Sequence, residues 1–102
     1  MRRRYILAPE AAFDLVQIWR YIKNNASIET ADQVEAAIRE KILYLAHNAG
    51  GGHWRKDLTD EPVKFFRVYS YLIVYRPETG PVQVVAILHG RRDVKELLKE
   101  RI

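Results

Sequence analysis

The stretch "YLIVYRPETGPVQVVAILH", Tyr71–His89, decides the fold. Both of its ends are rich in β-branched and aromatic residues, which predicts strands over Tyr71–Arg76 and Val82–His89. The "RPETGP" between them carries two prolines and a glycine, the chemistry of a hairpin turn. Alternation puts Tyr71, Ile73 and Tyr75 on one face of the first strand, and Leu72, Val74 and Arg76 on the other. The second strand, "VQVVAIL", is nearly all apolar, as expected of a strand covered on both faces.

Upstream, Val63–Tyr69 reads as another strand, broken from the next by a tight turn near Ser70. Before it runs "HNAGGGHWRKDLTDEP", His47–Pro62, where three successive glycines make a helix or strand costly. No Gly-Lys-Ser/Thr follows them, so this is not a Walker loop. Trp54 is expected to cap the core beneath this loop; the alternative is an anchor for a partner.

The first half is helical. Arg4–Ala8 reads as a short strand, and Pro9 suits the first turn of a helix. From Glu10 to Asn24 a single stripe holds Ala11, Leu15, Ile18, Trp19 and Ile22. Ser27 is the expected N-cap of a second helix, with Glu29 favourably placed in its first turn. Ala31, Val34, Ile38, Ile42 and Leu45 share one face down to about Ala46. Two helices joined so closely form an antiparallel hairpin, and each stripe needs a partner surface, most simply a sheet. After the last strand, Asp93 is an N-cap candidate with Glu96 three residues on, and Val94, Leu97 and Leu98 give a short apolar stripe. The expected fold class is α+β, a two-layer β-α-α-β-β-β-α chain with an antiparallel sheet packed on a helical hairpin. Residues 1–102 make one domain.

The 102 residues are 48% hydrophobic and 29% charged, ordinary for a soluble globular protein. There is no cysteine, which excludes disulfides, thiolate metal sites and thiol nucleophiles and fits a cytoplasmic setting. "MRRRYILAPE" begins like a secretion signal, but its apolar run is too short and Pro9 follows at once. No apolar run reaches the roughly 18 residues that span a membrane. The net charge of +4 favours nucleic acid or an acidic protein as partner.

No metal site is expected: His47, His53 and His89 have no ligand-like spacing to each other or to a carboxylate. Ser27 and Ser70 sit on no nucleophile elbow, and no cofactor motif is present. The acids lie mostly on helix faces near lysine or arginine, as solvated surface; Glu35 with Arg39 is one such pair. Arg67, Arg76, Arg91 and Arg92 lie in or beside strands, among Tyr69, Tyr71 and Tyr75. Such a face can hold phosphate and stack bases, or anchor a peptide, or simply be a solvated rim.

"PEAAFDLVQIWRYI", a "GG..WRKDL" loop, "FFRVYSYLIVYR" and "VVAILHGRRD" together resemble the ParE branch of the RelE/ParE toxin superfamily, over about Arg4–Val94. The resemblance implies a cytoplasmic toxin of a plasmid-stabilization type, encoded beside a ParD-like antitoxin that wraps it. Operator DNA would be met only indirectly, through the antitoxin. It implies a poison of DNA gyrase, whereas the RelE branch cleaves messenger RNA on the ribosome. That nuclease branch has an arginine where this chain has Leu72, an arginine that Arg92 can match, and a tyrosine where this chain has Leu98. An aliphatic side chain can neither stabilise a phosphorane nor move a proton, so a non-enzymatic toxin is the expectation. The expected target-binding residues are His89, Arg91 and Arg92. The expected antitoxin-binding residues are Trp19, Trp54, Phe66 and Arg67. The alternative is a RelE-like ribonuclease using Arg67, Arg76, Arg92 and a sheet tyrosine.

Overall fold

A computed structural model describes residues 4–102. The basic start, read above as no secretion signal, lies mostly outside the described residues. Elements run β1 (Tyr5–Leu7), α1 (Pro9–Asn25), α2 (Ile28–His47), β2 (Lys64–Val68), β3 (Tyr71–Arg76), β4 (Val82–His89) and α3 (Val94–Lys99), with a short 3-10 turn at Ala49–Gly51. The four strands form one sheet in the order β1-β4-β3-β2. The two hairpin pairings are antiparallel, whereas β1 runs parallel to β4, with Tyr5 opposite Val82. The expected α+β architecture holds, and the sheet is mixed rather than purely antiparallel.

Local chemistry fixes the ends as expected. Ser27 Oγ accepts the Thr30 N–H at 3.0 Å, and Asp93 Oδ1 accepts the Glu96 N–H at 3.2 Å. Both satisfy amides that have no partner within their helix. Glu96 itself turns to Lys99, 3.3 Å away.

The sheet is apolar on both sides. On the helical side Ala11, Leu15, Ile38, Ile42 and Leu45 pack on Ile73, Tyr75, Val84 and Ile87. On the other, Val63, Phe65, Val74, Ala86 and Leu88 are closed by Val94 and Leu98 of α3. The alternation expected for β3 is observed. In β4 it slips: Val74 faces Ala86 but Tyr75 faces Val84, leaving Val85 as an extra residue. The slip carries Ile87 and His89 to the helical side.

Two expectations are corrected. Trp54 does not cap the core; it is 48% exposed, with Lys64 Nζ 4.9 Å from its ring centre. Tyr75 fills that place instead. Its hydroxyl donates to the Ala49 carbonyl at 2.7 Å and accepts the Gly52 N–H at 2.8 Å, tying the glycine-rich loop to the sheet. Gly52 is needed there, since a Cβ would stand 2.5 Å from that hydroxyl.

Nor is Asp14 a solvated helix acid. It is buried, because β1 stops at Leu7 and leaves one edge of β4 open beyond Val84. The carboxylate accepts the Ile87 N–H at 3.0 Å and both terminal amino groups of Arg101 at 2.8 Å. Arg101 also reaches the Val85 carbonyl at 3.3 Å and Glu10 at 3.2 Å. A side-chain pair thus does along this edge what a further strand would do. Its hydrogen bonds to Asp14 hold the Arg101 guanidinium even more firmly charged than usual.

Candidate functional site

The end of β4 builds the site. Tyr71 stands opposite His89 in the sheet, and their rings meet edge to face with centres 5.3 Å apart. Burial pushes the Tyr71 phenol up from its ordinary range. The chain then turns tightly. Gly90 N–H donates to Ser70 O at 2.8 Å, and a Cβ on Gly90 would crowd that oxygen at 3.3 Å. Arg91 N–H donates to His89 Nδ1 at 3.1 Å, and Arg92 N–H to the His89 carbonyl at 3.0 Å. The neighbouring turn is also constrained: Tyr69 has φ 54°, a left-handed backbone, and Arg67 Nε donates to its carbonyl at 3.0 Å.

Two clefts flank this turn. The one on the helical side has a volume of about 540 Å³ and is walled by Phe13, Ile18 and Tyr21 of α1 and by Tyr71 and His89, with Asp14 and Arg101 at one side. The one on the opposite face, about 280 Å³, is lined by Arg55, Arg67, Arg92 and Lys95, with Leu58 and Leu72 as its apolar lining and Asp93 as its acid. Arg92 borders both.

The expected target-binding set is therefore together: His89, Arg91 and Arg92 share one turn, with both arginines exposed. The expected antitoxin-binding set is spread out. Trp19 lies where α1 meets α2, its indole N–H donating to Asp32 at 2.8 Å. Phe66 faces the helices beside Tyr44, ring centres 5.9 Å apart. Arg67, next in the strand, enters the cleft on the other side, and Trp54 lies on Lys64. Of the nuclease alternative's arginines, Arg67 and Arg92 share the smaller cleft. Arg76 pairs with Gln83 at the other end of β3, about 17 Å from Tyr71 at strand spacing. Leu98 is 2% exposed and belongs to the core.

Phe13, Tyr21, Asp14, Arg101, Arg55 and Lys95 were not among the expected site residues. Phe13 and Tyr21 lie off the apolar stripe of α1 and are 60% and 65% exposed, and two large aromatics on a polar helix face were the available signal. Among the described residues, no three of His, Cys, Asp or Glu gather as metal ligands, and no helix is long and apolar enough to cross a membrane.

Comparison with known proteins adds the family. Residues 5–94 match the family described as ParE toxin of type II toxin-antitoxin system, parDE. The chain belongs to the ParE toxin family. It is 33% identical over 101 residues to Toxin ParE of Escherichia coli, spanning 96% of this chain and 95% of that relative. Its fold matches a chain of the solved chromosomal ParDE TA system from P. aeruginosa with a TM-score of 0.72 at 20% identity, over 86% of this chain and 96% of that one. Measured against the ParE family, the match reaches Val94 but stops before Arg101, so the partner of Asp14 lies outside the matched region.

Proposed function

We propose that this ParE family member inhibits DNA gyrase by binding, without catalysis, and is neutralised by a ParD-like antitoxin in the cytoplasm. One observation carries the non-enzymatic part. The cleft holding Arg67 and Arg92 has Leu72 in its lining, and Leu98, on the inner face of α3, is buried in the core. Cations gather there, but Asp93, the only acid in the lining, is engaged as the cap of α3. Transfer of a phosphoryl group needs a placed acid or base besides positive charge. The target would be met by His89, Arg91 and Arg92.

For the antitoxin, Trp19, Trp54, Phe66 and Arg67 suit a long segment that wraps the molecule rather than one compact plug. β2 is an edge strand, paired on its outer side, among the described residues, only through the His53–Phe65 bridge, so an extended segment can add alongside Arg67. The solved ParDE system of P. aeruginosa supports a partner of this kind. A net charge of +4 favours an acidic segment. Operator DNA would be reached through the antitoxin.

The purified chain would be tested in gyrase supercoiling and in coupled translation. Inhibited supercoiling with intact message is expected. Cleaved message with normal supercoiling would replace this reading with the RelE-like ribonuclease.

A further inference from the structure

We propose that the two clefts flanking Arg92 form one groove for a short single strand of nucleic acid, with phosphates on the arginine side and an unpaired base on the aromatic side. The proposal stands whether or not gyrase is the target.

On the arginine side the charges do not cancel. Asp57 holds Arg55 through two hydrogen bonds of 2.9 and 2.7 Å, so that pair is close to neutral. Asp93 is engaged as a helix cap. Arg67, Arg92 and Lys95 outweigh the one negative charge of Asp93, so positive charge is in surplus around the cleft. Among the described residues Arg67 spends only its Nε–H, on the Tyr69 carbonyl, which fixes the guanidinium plane and leaves the terminal amino groups for a ligand. A fixed guanidinium fork suits the oxygens of a phosphate.

On the other side of Arg92 lie exposed aromatic faces. Tyr21 is 65% exposed and lines the same cleft as Tyr71, whose ring packs edge to face with His89. Cations and open ring faces thus alternate across one arginine, as phosphates and bases alternate along a strand. An acidic peptide would use the cations but has no need of the ring faces. A duplex would keep its bases stacked and could use only the cations.

The test uses the full chain and fluorescence anisotropy with labelled oligo-dT and oligo-rU of about twelve nucleotides, within the usual range of single-strand sites. A matching duplex and a polyglutamate peptide are the other arms. Both single strands, or one of them, should bind more tightly than the duplex and remain uncut; their relative affinity assigns the source as DNA or RNA. Three phosphate contacts predict a log–log salt slope of about −2. Arg92→Ala should weaken binding about tenfold and make the slope shallower by about 0.7. Tyr21→Ala, an exposed position, should weaken binding about fivefold with the slope unchanged. Lys41→Ala on α2 should change nothing. No oligonucleotide binding at about 50 mM salt, or variants that bind like the parent, would overturn the proposal. Binding of polyglutamate alone would make this a peptide site and overturn it too. Oligonucleotide binding with unimpaired supercoiling would remove the gyrase reading and leave this one.

Discussion

Asp14 and Arg101, 87 residues apart in the chain, form a two-pronged ion pair at 2.8 Å, and the same carboxylate holds the Ile87 N–H of β4 at 3.0 Å. Removing one partner strands the other. Asp14→Ala should cost about 3 kcal/mol or more, since a shielded guanidinium and a strand amide both lose their acceptor. Arg101→Met should cost less, because Asp14 keeps the Ile87 amide. The double variant should be less destabilised than the two single losses summed, because the pair acts as a unit. Urea denaturation measures all three, and strict additivity would show that the pair is not coupled.

Tyr75→Phe removes a hydroxyl that serves Ala49 and Gly52 at once. The expected loss is about 1–3 kcal/mol at neutral pH. Burial raises the Tyr75 phenol above its ordinary value of 10.0, against the opposing pull of the Gly52 N–H. The folded chain therefore holds this proton more tightly than the unfolded chain. The resulting stability is complete below pH 10 and is lost as pH rises through the raised value. Denaturation followed upward from that pH should show a steeper fall for the parent than for Tyr75→Phe, in which Tyr71 alone of the two raised phenols remains.

Gly52→Ala should destabilise by about 1–3 kcal/mol, because the new methyl meets both Tyr75 and the Phe65 carbonyl. The loss should be smaller when Tyr75→Phe is already present, since the nearest clashing atom is then gone. Equal losses in the two backgrounds would mean that the loop relaxes away from Tyr75.

Much of this was legible in the chain. Alternation in β3 and the caps at Ser27 and Asp93 each follow from one local rule and hold in the structure. What was not legible depends on distant partners. Asp14 looked like surface because its partners, Ile87 and Arg101, are far along the chain; its place between Ala11, Leu15 and Ile18 on the stripe was the only local sign. The slip at Val85 left no mark, because Val84, Val85 and Ala86 are all apolar and a phase change among them is silent. Trp54 was misplaced by its size alone, whereas Tyr75 carries a hydroxyl that could satisfy the loop's buried polar groups.

Arg92→Ala should abolish or strongly reduce growth inhibition on expression while leaving the thermal midpoint within about three degrees, because the side chain is exposed and surface changes move stability little. Plating with and without the antitoxin gives the readout. Full toxicity with intact folding would take Arg92 out of the mechanism.

Trp54→Ala should cost less than about 1 kcal/mol of stability, the scale of an exposed cation–π contact with Lys64. A larger effect is expected on antitoxin affinity, measured by calorimetry. A large stability loss with unchanged affinity would mean that Trp54 supports the loop after all.

The order β1-β4-β3-β2 sets a schedule for the newborn chain. β1 is made first, yet its sole partner in the sheet, β4, is the last of the four strands to be made. The α1–α2 hairpin can form from nearby residues, but its apolar stripes have no sheet centre to rest on until Val82–His89 has been synthesised. The turn at His89–Asp93 takes shape at that same closing moment. While the chain is still growing, every residue proposed to meet the antitoxin, from Trp19 to Arg67, therefore leaves the ribosome before the turn proposed to do harm.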